Sequence, residues 1–279
     1  MFRSLLSATM CLFVLTSVPT PLDAQQSTTR LRGLDGANDA LVWQAVGRLD
    51  ANDTGFCTAT LISPEFVLTA AHCVYSPRTG ELLNAPDLTF RAGLRNGHAA
   101  AERGILQIEP HRMYDPANGM SVANVRHDVA LLRLAQPIPT HELDPFVLHG
   151  DRVTGGAVSV VSYGRGRSEI PSRQEVCKLL QEYQGVLVMN CDVTFGSSGA
   201  PVFTHKNGRG QIVSVVSGMG SYDGKRVTYG MSLPSVVADL KRQMRANAPR
   251  PVAQIRRLTA GSRENPVSGG AKFVRPGGS

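Results

Sequence analysis

The stretch Gly196-Ser197-Ser198-Gly199-Ala200-Pro201 and the distant stretch Thr69-Ala70-Ala71-His72-Cys73 together decide how this chain folds. In the first, a serine stands between glycines, which allow a tight turn. In the second, a histidine is followed at once by a cysteine. A serine hydroxyl is a weak nucleophile until an adjacent base takes its proton, and histidine is a base that does so. The two stretches therefore predict a nucleophilic serine, Ser198, activated by His72.

A histidine in this role needs an acid that holds its tautomer and stabilises the imidazolium that forms. Asp128 is the candidate, because it opens the apolar run 129–134, which is typical of a buried strand. A lone carboxylate in such a place is costly unless it is hydrogen-bonded. The chain order is then His72, Asp128, Ser198. This is the order of chymotrypsin, not of subtilisin or the α/β-hydrolases, so it favours a double β-barrel.

The chain resembles the trypsin-like, chymotrypsin-fold serine peptidases over residues 41–244. The GSSGAP sequence is similar to that of the bacterial branch that includes the V8-type glutamyl endopeptidases. The resemblance implies an all-β fold of two six-stranded antiparallel β-barrels, with the active site between them and a short C-terminal helix. Short apolar runs separated by Gly, Pro, Asn and Asp agree with such a fold. The motifs that carry the resemblance are Trp43-Gln44-Ala45-Val46, Cys57 to Ser63, Phe66 to Cys73, Asp128 to Leu134, Gly196 to Pro201 and Val216-Ser217-Gly218.

Ser197 departs from the animal digestive members of that family. In those enzymes the residue before the nucleophile is an aspartate that pairs with the newly cut N-terminus and locks the oxyanion hole. Ser197 cannot form that ion pair. We therefore expect the hole, formed by the N–H groups of Gly196 and Ser198, to be held by local hydrogen bonds.

Cysteine usage suggests an exported protein. Cys11 lies in the N-terminal apolar stretch, and the remaining four cysteines form an even set, which favours disulfides. Four cysteines allow three pairings. The resemblance implies that Cys57 pairs with Cys73, which leaves Cys177 with Cys191. Metal ligation is disfavoured because neither pair has CxxC spacing, and we expect no metal site.

The sequence divides into four segments. Residues 1–24 have a basic Arg3, an apolar centre and a plausible cleavage site, which predict a signal peptide and hence a secreted or periplasmic protein. Residues 25–40 are polar and rich in turn formers, and we expect an N-terminal extension or a short propeptide. Residues 41–245 form the predicted protease domain, ending in an amphipathic helix. Residues 246–279 form a predicted basic, disordered tail.

Positive charge is concentrated at the C-terminus. From Lys241 onward there are nine Lys and Arg against the single Glu264, a net +8, whereas the whole chain carries +7, so residues 1–240 carry −1. Such a tail can attract anionic surfaces weakly and in a salt-dependent way. Alternatively, the tail is only a solubilising or removable extension. Phe273 is the tail's only aromatic residue, so specific nucleic-acid binding is not expected.

Primary specificity is less clearly encoded. Asp192 lies six residues before Ser198, the separation of the acidic residue at the base of trypsin's pocket, which favours cleavage after Arg or Lys. Alternatively, Asp192 caps a loop. Preference for acidic, small or apolar residues also stays open. Ser217 belongs to the stretch that resembles the substrate-pairing strand.

These features favour a secreted serine endopeptidase that hydrolyses peptide bonds in proteins or peptides through an acyl-enzyme intermediate. One alternative is a catalytically silent homologue that binds a partner through the same cleft. A second is an envelope quality-control protease, although the residues after the C-terminal helix are too few for an appended peptide-binding domain. We expect no cofactor, no transmembrane segment and a monomer.

Overall fold

Strands dominate the part of the chain that this computed structural model describes, which is residues 28–52, 55–206 and 209–248. The predicted signal peptide and nearly all of the predicted tail lie outside the described residues. Six consecutive strands close into the first barrel, in the order β2-β3-β4-β7-β6-β5. These strands are β2 (Val46–Ala51), β3 (Gly55–Ser63), β4 (Phe66–Thr69), β5 (Leu88–Ala92), β6 (Ala101–Pro110) and β7 (Ala130–Leu134).

The next six strands form the second barrel, in the order β9-β10-β13-β12-β11-β8, and the pairing of β8 with β9 closes it. All neighbouring pairs are antiparallel. The predicted pair of six-stranded antiparallel barrels is therefore confirmed. The strands are β8 (Gly156–Gly164), β9 (Arg167–Tyr183), β10 (Val186–Met189), β11 (Pro201–Lys206), β12 (Arg209–Tyr222) and β13 (Lys225–Met231).

Side-chain alternation is clear in the first barrel. In β5, Leu88, Phe90 and Ala92 are buried while the residues between them are partly exposed, as expected for a strand with one face towards a core. The two barrels meet through aromatic rings: Trp43, just before β2, lies with its ring centroid 5.1 Å from that of Phe203 on β11. Phe146, in the connection between the barrels, lies 4.7 Å from Phe203. This shared packing holds the barrels side by side.

Helices are few. The short helices are α1 (Ala37–Leu41) and α2 (Val122–Val125), and 3₁₀ turns occupy Ala71–Val74 and Ala85–Asp87. The predicted C-terminal helix is present as α3 (Pro234–Ala246), with a proline in its first turn, where a missing N–H costs nothing.

The C-terminal helix α3 joins the two barrels. It follows the last strand of the second barrel and buries Val237, Leu240 and Met244. Gln243 donates to the carbonyl of Pro110, on β6 of the first barrel. Among the helices of the described residues, none is long and apolar enough to cross a membrane.

A short N-terminal strand, β1 (Leu31–Gly33), adds to the edge of β9. The Thr29 N–H donates to the Val176 carbonyl at 2.8 Å, and the Leu34 N–H donates to the Pro171 carbonyl at 2.9 Å. These residues fall in the segment for which the sequence predicts an extension or propeptide. In the structure they are paired to the second barrel.

Both disulfides join the cysteines as expected from the sequence: Cys57 with Cys73, and Cys177 with Cys191. The first ties β3 to the 3₁₀ turn that carries His72, and the second links β9 to the segment just after β10. The Cys57 and Cys73 sulfurs also lie near His72 at distances that would suit a metal. Since both sulfurs are bound to each other, neither is a free thiolate ligand.

Candidate active site

His72 and Asp128 are brought together by two paired strands of the first barrel. His72 lies in the 3₁₀ turn after β4, Asp128 lies just before β7, and β4 pairs with β7 through Thr69 and Ala130. Asp128 accepts from the His72 backbone N–H at 2.9 Å through Oδ1. Its Oδ2 lies 2.8 Å from His72 Nδ1. The carboxylate therefore fixes both the backbone and the ring of His72.

Ser217 completes the shell around Asp128 from the second barrel. Its Oγ donates to Asp128 Oδ2 at 2.5 Å, and its side chain lies in β12. Asp128 is only 3% exposed, so these hydrogen bonds offset the cost of burying a carboxylate. The sequence assigns Ser217 to substrate binding. In the structure Ser217 also lines the cleft, but its hydroxyl is hydrogen-bonded to Asp128. The sequence did not predict this contact, because the two residues are far apart in the chain.

The pKa of His72 reflects two opposing effects. Burial lowers the pKa of the imidazole, whereas the charge and the hydrogen bond of Asp128 raise it, and the net pKa lies above the ordinary histidine value. The Nδ1–H donates to the carboxylate, so Nε2 is the nitrogen left to accept a proton. The ring is one-third exposed and lines the same cleft as Ser198.

Ser198 lies on a tight turn that requires glycine at positions 196 and 199. Gly196 has φ +91° and Gly199 has φ +76°, in the left-handed region that suits glycine. A Cβ on Gly199 would lie 2.1 Å from Thr69 Oγ1 and 2.3 Å from the Thr58 carbonyl. The turn is thus pressed against the first barrel, close to the strand end that precedes His72.

The N–H groups of Gly196 and Ser198 are free to serve a ligand. The Phe195 carbonyl accepts from Arg165, and the Ser197 carbonyl accepts from Ala200. In a trans peptide the N–H points opposite to the carbonyl. The N–H groups of Gly196 and Ser198 therefore point away from Arg165 and Ala200, which donate to the carbonyls of the same two peptides. Within the described ranges neither N–H has a hydrogen-bond partner. This is the donor pair predicted for the oxyanion hole.

Thr58, on β3, braces the same turn. Its Oγ1 donates to the Gly196 carbonyl at 2.8 Å and accepts from the Tyr163 N–H at 3.0 Å. Its own N–H donates to the Ser198 carbonyl at 2.8 Å. The sequence reasoning did not single out this residue, and its place beside Cys57 in the chain carries no distinguishing signal.

Ser197 is excluded as the nucleophile by burial, since it is 0% exposed. Its Oγ donates to the Tyr163 carbonyl at 3.0 Å and accepts from the Thr194 N–H and from Arg167 Nη2 at 3.3 and 3.0 Å. One donated and two accepted bonds use the full capacity of a hydroxyl. Ser197 is therefore a fixed point of the turn, held by hydrogen bonds where the digestive enzymes have an ion pair.

A cleft of about 960 Å³ surrounds His72 and Ser198. Beside Ser198 its wall is formed by residues of two segments, Val193, Thr194, Phe195, Val216, Gly218 and Met219. Asp192 is not among the residues that line this cleft. It is exposed, and its backbone N–H donates to Gln174 Oε1 at 2.7 Å. Asp192 thus does not line this cleft in the structure, and its role in substrate binding stays a prediction.

Comparisons with known proteins agree with this geometry. A family model described as Trypsin matches residues 32–239. "Serine protease 7" of Drosophila melanogaster is 33% identical over 159 residues, which is 49% of this chain and 38% of that protein. "Serine protease SP24D" of Anopheles gambiae is 32% identical over 112 residues, 40% of this chain and 37% of that protein. The matches thus span well under half of either relative's length.

A solved structure described as "Structure of Glu endopeptidase in complex with MPD" has a TM-score of 0.62 at 17% identity, covering 77% of this chain and 96% of that one. At this identity the likeness concerns the fold alone. The family model, in contrast, covers more than half of the chain and includes all three predicted catalytic residues. The chain belongs to the trypsin family.

Proposed function

We propose that this protein is an exported serine endopeptidase that uses Ser198 as nucleophile, His72 as general base and acid, and Asp128 as the carboxylate that orients His72. The observation that carries the proposal is one cleft lined by Ser198 and by a His72 ring hydrogen-bonded to a buried Asp128. The two unpartnered N–H groups of Gly196 and Ser198 support it further.

The chemistry follows from these positions. His72 Nε2 takes the Ser198 hydroxyl proton as Ser198 Oγ bonds to the substrate carbonyl carbon, and the carbonyl oxygen becomes an oxyanion that accepts from Gly196 and Ser198. The imidazolium then gives its proton to the leaving amine as the C–N bond breaks. His72 then takes a proton from a water molecule whose oxygen bonds to the acyl carbon, and it returns that proton to Ser198 Oγ as the ester C–O bond breaks. The Asp128 carboxylate stabilises the imidazolium in both steps.

For specificity, we propose that the residue on the acyl side of the cleaved bond is apolar. Val193, Val216 and Met219 line the cleft beside Ser198, whereas Asp192 lies outside it. An apolar wall stabilises an apolar side chain by roughly 25 cal/mol per Å² of buried surface and leaves a cation unpaired. Cleavage after Arg or Lys is therefore not favoured by the position of Asp192.

Export is supported by the two disulfides, which persist in oxidising compartments, and by the leader-like sequence 1–24. Peptide or protein chains are the proposed substrates. The proposed weak contact of the basic tail with anionic surfaces rests on charge alone, since the tail lies outside the described residues.

The test uses the secreted protein, its Ser198→Ala variant and a matched control, Ser235→Ala, which changes an exposed serine on α3. Each is treated with a fluorophosphonate probe and then with a mixed peptide library read by mass spectrometry. Wild type and control should bind one probe per chain and cut after apolar residues. Ser198→Ala should lose labelling and at least about 10⁴-fold of the cleavage rate.

Asp192→Asn belongs in the same library experiment and should leave the pattern of cut bonds unchanged. Cuts after Arg and Lys that disappear in Asp192→Asn would overturn the apolar assignment while leaving the mechanism standing. A wild type that neither labels nor cuts would instead favour the silent, partner-binding homologue.

A further inference from the structure

The hairpin between β8 and β9 lies directly behind the nucleophile turn. Its two-residue loop is Arg165-Gly166, with Gly166 at φ +77° and Gly164 paired with Arg167. The Arg165 N–H donates to the Phe195 carbonyl at 2.8 Å, which is the bond that turns the Gly196 N–H the other way. The hairpin thus already holds one side of the predicted oxyanion hole through its backbone.

Arg167 reaches the other side of the hole through its side chain. Its Nη2 donates to Ser162 Oγ at 2.9 Å and to Ser197 Oγ at 3.0 Å, and its Nη1 donates to the Ser162 carbonyl. The guanidinium passes over Gly164, where a Cβ would lie 2.9 Å from Arg167 Cζ and 2.7 Å from Thr194 Cγ2. Glycine at 164 therefore makes room for a planar cation against the nucleophile turn.

Ser197 depends on this cation for its last hydrogen bond. Its hydroxyl already donates to Tyr163 and accepts from the Thr194 N–H, and Arg167 fills the second acceptor site. Loss of the guanidinium would leave a fully buried hydroxyl one bond short, and a hydrogen bond from a charged donor is stronger than one from a neutral donor. Ser197 lies between the two residues whose N–H groups form the hole.

Charge balance fits the same role. Burial lowers the pKa of Arg167 to about 10, and the nearby Asp192 carboxylate acts in the opposite direction, so the guanidinium stays protonated at neutral pH. Within the described residues, the hydrogen-bond acceptors of Arg167 are Ser162 and Ser197 and not a carboxylate. The exposed Asp192 carboxylate therefore acts as a counter-charge to this buried cation without a hydrogen bond to it.

We propose that Arg167 is a positioning residue: by donating a hydrogen bond to Ser197, it holds the oxyanion hole in its catalytic arrangement. Its guanidinium supplies, from within the folded chain, the positive charge that the digestive enzymes obtain from a newly cut N-terminus. The inference rests on the proposed serine-peptidase function. It implies that the hole is formed as soon as the chain folds, without an activating cleavage.

The test compares Arg167→Met, Arg167→Lys, Ser197→Ala and the double variant Arg167→Met/Ser197→Ala with wild type. Arg103→Met is the matched control, since Arg103, on β6 of the first barrel, is also partly buried and is hydrogen-bonded to Glu142 in the connection between the barrels. Three quantities are measured: kcat and KM on one peptide, affinity for a peptide boronate that mimics the tetrahedral oxyanion, and affinity for the uncut peptide in a Ser198→Ala background.

Arg167→Met should lower kcat and boronate affinity by roughly 10- to 100-fold, less than the loss of a hole donor itself, with KM and uncut-peptide affinity within about threefold of wild type. Ser197→Ala should give a similar loss, and the double variant no more than either single one, because both act through the same bond. Arg167→Lys should be intermediate, since an ammonium keeps the charge but not the planar fork. Arg103→Met should match wild type.

Unchanged kcat and boronate affinity in Arg167→Met would overturn the inference. A fall in uncut-peptide affinity as large as the fall in boronate affinity would also overturn it, because it would mean that the whole cleft is disturbed. Should Arg167→Met fail to fold, Ser197→Ala decides: wild-type boronate affinity there overturns the inference. Additive losses in the double variant also count against it. A wild type that does not react with a fluorophosphonate overturns the proposed function, whereas a reactive wild type with an equally reactive Arg167→Met overturns this inference alone.

Discussion

The buried side chain of Asp128 is stabilised by the same hydrogen bonds that orient His72. It accepts from the His72 backbone, the His72 ring and the Ser217 hydroxyl, so one carboxylate draws both barrels together at the site. The same contacts select the tautomer with its proton on Nδ1, because a carboxylate can only accept. In the proposed mechanism, the Asp128 carboxylate therefore both orients His72 and stabilises the imidazolium that forms.

The variant Asp128→Asn tests this effect of the Asp128 carboxylate on His72. The Asn side-chain amide can donate to Nδ1, which moves the His72 proton to Nε2, so kcat should fall by about 10³- to 10⁴-fold. In wild type, kcat/KM should fall as pH drops through a His72 pKa that is raised above 6.5, since only neutral His72 accepts a proton. Without the Asp128 charge this pKa decreases, so the acid limb of the pH–rate profile should move to lower pH.

Glu142→Gln, which changes an acid paired with Arg103 on the barrel surface, is the control and should keep the wild-type profile. An Asp128→Asn protein with an unshifted acid limb would show that another group sets it.

At the scale of elements, the N-terminal segment behaves as part of the second barrel. Residues Leu31–Gly33 form a strand on β9, Gln174 Nε2 donates to the Thr29 carbonyl at 2.8 Å, and Leu34 is buried at 7% exposure. The polar, turn-rich composition of residues 25–40 predicted an extension because it contains little apolar periodicity. Edge pairing needs only backbone groups, so composition carries almost no sign of it.

A chain that begins at Asp35 should therefore be less stable than one that begins at Thr28. The loss of Leu34 burial and of the edge hydrogen bonds should lower the free energy of unfolding by about 2–4 kcal/mol, measured by urea denaturation. Cleavage activity of the folded fraction should be kept, because Ser197 accepts from Arg167 and not from a terminal ammonium. Equal stability of the two chains would mean that β1 contributes nothing, and inactivity of a folded short chain would point to N-terminal activation.

At the scale of the whole molecule, His111 lies where the first barrel, the β9–β10 hairpin and α3 meet around a second cavity of about 660 Å³. Its ring stacks on His127 with centroids 4.7 Å apart. Burial, His127 and Arg112 together lower the pKa of His111 to about 4. The Met113 N–H donates to its Nδ1. The surroundings of His111 in the folded protein thus favour its neutral form.

Stability should consequently fall in mild acid. An unfolded histidine binds a proton near pH 6.5 and the folded His111 only near pH 4, so the stabilisation is complete above 6.5 and is lost as pH falls from 6.5 to 4. At pH 5 the loss from this group should be about 1–2 kcal/mol, measured as urea unfolding at pH 5.0 against pH 7.5. His111→Asn, which keeps an acceptor for the Met113 N–H, should show a smaller difference between the two pH values.

His98→Asn, which changes an exposed histidine in a turn, serves as the control and should retain the wild-type difference. If His111→Asn keeps that difference too, another group is responsible for the acid sensitivity.

The sequence by itself determined the candidate catalytic set, because this set depends on local motifs: His72 next to Cys73, Asp128 at the start of an apolar run, and glycines on both sides of Ser198. The two barrels and the disulfide pairs were implied by the family resemblance that these motifs carry. The position of Asp192, six residues before Ser198, suggested a pocket residue. Spacing along a chain does not say where a side chain points, and Asp192 is not among the residues that line the cleft in the structure.

Only the tertiary structure decided what surrounds the catalytic residues. Thr58 and Gly196 are separated by 138 positions, Ser217 and Asp128 by 89, and Arg167 and Ser197 by 30. Each of these bonds arises where the closure of a barrel, or the packing of one barrel on the other, brings distant strands within 3 Å. Hydrogen bonds of this kind depend on three-dimensional register rather than on local preference, and so the residues that support the proposed oxyanion hole became visible only in the fold.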